Sequence, residues 1–177
     1  MRINGSRHPV KQAMRVVCLM LFAALMSSIC LTEVQAQKKK SKKQQKTQQS
    51  EAAKEEHTVL SLINKYRSSL GKPPLVMNEI ISNEAYDHSL RMSQGKIPFG
   101  HAGFDDRIGK LLKQLAAIGG AENVAFSPKG AGSVVHNWLN SDGHRENIEG
   151  DYNYAGVGIA QGKNGYRYYT VIFIKKK

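Results

Sequence analysis

Between Gln37 and Lys177 the chain has no cysteine; both of its cysteines, Cys18 and Cys30, lie in the first 36 residues. That absence excludes a disulfide framework and a cysteine-ligated zinc or redox site from this stretch, so its stability must come from a packed core. Aromatic residues are scarce, at 7% of 177, and Trp138 is the only tryptophan. There is no H-E-x-x-H pair, no G-x-S-x-G elbow and no internal repeat. The commonest zinc-protease and α/β-hydrolase signatures are therefore missing.

Acidic residues are few against basic ones, 14 to 26, for a net charge of +12. The excess is uneven. Residues 37–56 carry seven lysines and three glutamates, whereas residues 57–177 carry fifteen basic and ten acidic residues. The densest block, Lys38 to Lys46, has no aliphatic or aromatic side chain. We read 37–56 as a solvated, disordered Lys/Gln-rich linker, a plain spacer in the first instance, with attraction of its lysines to an anionic envelope polymer or lipid headgroups as the alternative. No nucleic-acid partner is expected, because no aromatic residue interleaves with this charge.

Residues 1–36 have the layout of a secretory signal. Arg2, Arg7, Lys11 and Arg15 precede an apolar run from Val16 to Leu31, and Val34-Gln35-Ala36 forms a small-residue cleavage pattern ending at Ala36. The alternative is an uncleaved membrane anchor, since the run approaches the roughly 17 residues that span a bilayer. Residues 57–177 are long enough for one globular domain.

Along that domain, Val59, Leu62, Ile63, Tyr66 and Leu70 recur at helical spacing up to Gly71 and Pro73-Pro74. Asn78 opens a second helix as N-cap, with Ile81, Ala85, His88 and Met92 on its apolar side and Gly95 as its end. On that side His88 reads as a hydrogen-bonded residue at the edge of the core. A third helix has Asp105 and Asp106 at its positive end and Gly119-Gly120 closing it. AENVA, Ala121 to Ala125, is a short strand or turn. Ser127-Pro128 caps a fourth helix carrying Val134, Val135 and Trp138, with His144 at its C-terminal end. Ala155, Val157 and Ile159 then alternate with glycine, Asn164-Gly165 signals a hairpin, and Tyr168 to Ile174 is rich in strand formers. Helices first and a hairpin last imply an α+β domain with a mainly antiparallel sheet.

Three polar islands carry chemistry: GHAGFDDR (Gly100 to Arg107), AENVA, and WLNSDGHRENI (Trp138 to Ile148). They supply His101, Glu122 and His144, 21 and 22 residues apart, too far for one local loop. Two imidazoles and a carboxylate are the protein ligands of many catalytic zinc sites, and the same groups move protons near neutral pH. If the fold joins them, they form a candidate site for zinc or another divalent cation. Asn123, Ser141 and Arg107 are further cleft candidates, although Arg107 also suits a partner within its own helix. Ser141, His144 and Glu122 as a nucleophilic triad is disfavoured by the missing elbow.

Four motifs in order give these islands a context: H-x-x-F-x-x-R at His101 to Arg107, G-x-E-N-x-A at Gly120 to Ala125, W-x-x-S-x-x-H-R-x-N-I at Trp138 to Ile148, and G-V-G-x-A at Gly156 to Ala160. From about His57 to Ile174 the chain resembles the CAP superfamily, the cysteine-rich secretory protein, antigen 5 and pathogenesis-related 1 group, in its disulfide-free bacterial branch. The resemblance implies a three-layer α/β/α sandwich with a central cleft where His101, Glu122 and His144 gather and where family members can hold zinc or another divalent ion. It also implies a second carboxylate three residues after the tryptophan, where Ser141 stands. The expected function is an exported, envelope-associated domain whose cleft binds a small ligand: lipid, glycan, peptide or divalent metal. One alternative is a metal-dependent hydrolase using His101, Glu122 and His144. Another is an adhesive module tethered by the polybasic segment.

Overall fold

The computed structural model describes residues 37, 39–42, 44, 47, 49–163 and 165–177. The chain divides into residues 1–48 and 49–177. The signal-like segment lies outside the described residues. In the first unit every described residue is helical and exposed. Helix is compatible with this composition, because Lys and Gln are good helix formers even without an apolar face.

In the second unit, α1 (residues 49–69) leads to β1 (Val76–Met77), α2 (Glu79–Ser93), α3 (Phe104–Leu115), β2 (Ala117–Ser127), α4 (Ala131–Leu139), α5 (Asp142–Glu149), β3 (Tyr154–Gln161) and β4 (Arg167–Lys176). The folded unit thus begins before residue 57. Glu55 accepts from the backbone N–H of Ala131 and from Tyr169, and it pairs with Arg167; Glu56 accepts from the Ile159 N–H. Acidic side chains placed in the linker reading are anchors of the domain.

The four strands lie in the order β1-β3-β4-β2, with β1 parallel to β3 and the other pairs antiparallel. Period-two alternation in β4 builds two cores. Tyr169, Val171 and Phe173 pack with α1, α4 and α5 residues such as Val59, Ile63, Val134, Trp138 and Ile148. Ile172 and Ile174 pack with Ile81, Ala85, Ile108 and Leu111 of α2 and α3. A sheet with helices on both faces is the α/β/α sandwich that the motifs imply. On β3 the glycines have a steric role: a Cβ on Gly156 would come within 2.3 Å of the Ile81 backbone, and one on Gly158 within 2.0 Å of the Tyr86 nitrogen. They let α2 lie directly on the strand.

Local signals held where both partners are close in sequence. Asn78 caps α2 by accepting from the Ile81 N–H at 3.2 Å, and Gly95 follows the helix with φ +68. Three boundaries differ from expectation. Ala116, with φ 50, ends α3, and Gly119 and Gly120 lie within β2. At Gly120 the missing Cβ makes room for Phe173 O and the Ile174 and Ile108 side chains. Ser127 ends β2 and its hydroxyl accepts from the Lys129 N–H, forming a local turn; α4 starts only after Gly130. Asp142–Glu149 forms the separate helix α5, so His144 sits in a first helical turn, not at the end of the fourth helix.

Candidate functional site

β2 is an edge strand, and its alternation separates the candidate residues. Glu122 stands opposite Ile172 and so points to the α2–α3 face; Asn123 stands opposite Val171 and points to the α4–α5 face. On the α2–α3 face α3 delivers Arg107, whose Nε donates to Glu122 Oε2 and whose Nη2 donates to Oε1, each at 2.8 Å. Its Nη1 donates to the Ala102 carbonyl at 3.0 Å. This is a two-point guanidinium–carboxylate pair with both side chains buried.

His101, in the loop before α3, adds a third bond to the carboxylate: its Nδ1 lies 2.9 Å from Glu122 Oε1. Its side chain is 49% exposed while that of Glu122 is fully buried. His88 of α2 is buried beside them; its Nε2 lies 3.8 Å from Glu122 Oε1 and 2.9 Å from the Gly100 carbonyl. Nε2–H donating to that carbonyl leaves Nδ1 as a bare acceptor, and Nδ1 has no partner. Burial pushes the His88 pKa down, with Glu122 opposing part of that effect, so the ring is neutral at physiological pH.

His144 comes from the other face. Its carbonyl accepts from Asn123 Nδ2 at 3.0 Å, and Asn147 donates to Asn123 Oδ1 at 2.9 Å. Its Nδ1 lies 2.8 Å from Ser141 Oγ, and its ring is 6.5 Å from that of Trp138. Burial, and then the neighbouring His101 imidazole, lowers its pKa. The Trp138 indole N–H donates to the Val124 carbonyl at 3.2 Å, fixing α4 to β2.

The expected set is therefore joined only in part. His101 and Glu122 meet, with Arg107 as a closer partner of the carboxylate than the sequence suggested. Asn123 is fully buried and ties β2 to α5. Ser141 precedes α5 and pairs with His144, but the Glu122 oxygens are bonded to Arg107 and His101, not to the His144 ring, so a triad is not formed. Glu149, at the end of α5, accepts from Tyr66. Among the described residues no three His, Cys, Asp or Glu side chains gather in a metal-holding group. As placed, the residues do not fit a divalent ion, because both Glu122 oxygens already face a guanidinium.

A groove of about 300 Å³ opens between α2 and α3, lined by residues including Glu84, Asp87, His88, Arg91 and Lys110; of the expected candidates only Arg107 borders it. Sequence reading also missed Arg67, buried in the core, which donates to the carbonyls of Pro73, Ile148, Gly150 and Tyr152. A lone arginine in an otherwise apolar helical stripe was its only sequence signal.

Residues 60–173 match the family described as CAP, the cysteine-rich secretory protein family. The uncharacterized membrane protein YlbC of Bacillus subtilis is 30% identical over 127 residues, 68% of this chain but only 34% of its own length. An extracellular protein of Bacillus anthracis containing an SCP domain has a solved structure with TM-score 0.61 and 26% identity, covering 71% of this chain and 41% of that one. An outer surface protein of Borrelia burgdorferi shares the fold at TM-score 0.61 and 21% identity, covering 70% of this chain and 94% of that one. With the sandwich, the four ordered motifs and this match over most of its length, the chain belongs to the cysteine-rich secretory protein (CAP) family.

Proposed function

We propose that this protein is an exported CAP domain that works by binding, with His101 and His144 flanking a cleft for a small polar ligand of the glycan or peptide class. The observation that carries this reading is the Arg107–Glu122 pair. A carboxylate held at both oxygens by a buried guanidinium is neutralised, and using it as a general base or metal ligand would require breaking the pair at a cost of about 3–5 kcal/mol. What faces solvent is hydrogen-bonding in kind: the half-exposed His101 ring and the Ser141–His144 pair. An extracellular location is supported by the signal-like layout of residues 1–36 and by the extracellular B. anthracis relative.

The test is a titration of the imidazole NMR signals with disaccharide–peptide fragments and, separately, with zinc. Saturable shifts of His101 and His144 with the fragments, and no retained zinc after dialysis, are expected. Stoichiometric zinc that disappears in His101→Ala and His144→Ala would replace this reading with the metal-dependent hydrolase. Silence of both rings toward every fragment would remove binding at this cleft.

A further inference from the structure

Four of the few aromatic side chains meet in one exposed cluster. Phe99, in the loop between α2 and α3, packs edge-on against Phe126 at 4.9 Å between ring centres. Phe126, near the end of β2, contacts Tyr166 at 5.5 Å and Tyr168 at 5.9 Å, both from the β3–β4 hairpin. Phe99 and Phe126 are each 49% exposed. Three segments distant in sequence thus hold large rings in water, which a folded domain ordinarily avoids unless the patch is used.

The loops bearing these rings are cationic. Lys96 lies three residues before Phe99, Lys129 three after Phe126 and Lys163 three before Tyr166, and all three are exposed. None of them is in an ion pair among the described residues. Residues 94–104, 123–141 and 152–177 contain no Asp or Glu. Glu55 reaches this end of the sheet but is engaged by Arg167, Tyr169 and the Ala131 N–H. An acidic flank lies in the α2–α3 groove, which Ile97 lines together with Glu84, Asp87 and Asp106.

We infer that this face docks on an anionic phospholipid surface, with the rings at headgroup level and the lysines on the phosphates. Aromatic side chains with an apolar body favour the membrane–water boundary, and lysines beside them add attraction to anionic lipid while keeping their ammonium groups in water. A purely apolar partner would leave the three lysines unanswered. The pattern is the rim chemistry of a peripheral membrane contact, and no described helix is long and apolar enough to cross a bilayer. Phe99 is two residues from His101, so docking brings the loop carrying His101 to the headgroup plane. The inference stands independently of what the cleft binds.

The test uses the full chain with Phe99→Trp, mixed with vesicles of phosphatidylcholine alone or with phosphatidylglycerol. The expected result is a blue shift of the introduced indole and its quenching by brominated lipid, only when phosphatidylglycerol is present. Lys96→Gln, Lys129→Gln and Lys163→Gln together should weaken that response by about a hundredfold, from roughly fivefold per charge. Replacing the lysines of Lys38 to Lys46 with Gln should leave the indole signal in place. Vesicle binding without any change at position 99 would overturn the inference, because another segment would then make the contact. So would capture by an anionic cell-wall polysaccharide together with indifference to phosphatidylglycerol.

Discussion

Arg107 holds both oxygens of Glu122, at 2.8 Å each, in a part of the domain where both side chains are buried. The polar island most suggestive of metal or proton chemistry is thereby a buried ion pair with His101 on its outer side. Arg107→Met should lower unfolding stability by about 3–5 kcal/mol, because it strands a buried carboxylate. Arg107→Met with Glu122→Leu should recover most of that loss. Urea unfolding followed by the fluorescence of Trp138, the only tryptophan, measures both; equal stability of the single and double variants would refute the coupling.

Two glycines should respond with opposite sign. Gly158→Ala drives a methyl to 2.0 Å from the Tyr86 nitrogen and 2.3 Å from the Ala85 carbonyl carbon, so α2 must lift from β3 at a cost of about 3 kcal/mol or more. Gly132→Ala, in α4 with open space around the new methyl, should gain about 0.5–1 kcal/mol. Thermal unfolding of the two variants compares them directly.

Glu56 gives the domain a pH dependence of unusual sign. Burial, reinforced by Glu55 and opposed by the Ile159 N–H, raises its pKa from 4.5 to about 7. The native state then holds more protons than the unfolded chain, so this group's contribution is full below about pH 4.5 and is lost as pH rises through about 7. Glu56→Gln should flatten the fall in stability over that window. Urea midpoints collected across it, for both proteins, provide the check.

His88 acts in the other direction. Its pKa is depressed by burial, so the unfolded chain takes up the proton first and stability is lost as pH falls below about 6.5. His88→Leu should cost about 1–3 kcal/mol at pH 7.5, since the Gly100 carbonyl loses its donor. The same variant should lose less on acidification than the parent protein. An unchanged acid slope would show that His88 does not contribute to it.

Some of this was legible from neighbouring residues. Asn78 and Ile81 are three apart, so the cap is a local matter, and the run of strand formers from Tyr168 to Ile174 announces a strand. AENVA was too short for its period to be read, and β2 proved to extend from Ala117 to Ser127 only because β4 pairs with it along that length. The same pairing moved Gly119-Gly120 out of the helix-ending role assigned to it. Ser127-Pro128 failed as a helix cap because the Ser127 hydroxyl closes its own turn first.

Composition and motif order were enough to establish a cysteine-free CAP domain with helices over a mainly antiparallel sheet, because periodicity, caps and the ordered islands are written in adjacent residues. They also nominated His101, Glu122 and His144. Whether these three share a site depends on which face of an edge strand each one addresses, and that follows from strand order and register. Glu122 turns toward Arg107 on α3, whereas α5 brings the His144 carbonyl to Asn123 and its ring within reach of the His101 imidazole. The cluster of Phe99, Phe126, Tyr166 and Tyr168 likewise exists only after three distant segments meet at one end of the sheet. One-dimensional spacing carries no information on either contact, since both are made by side chains whose neighbours are chosen by tertiary packing.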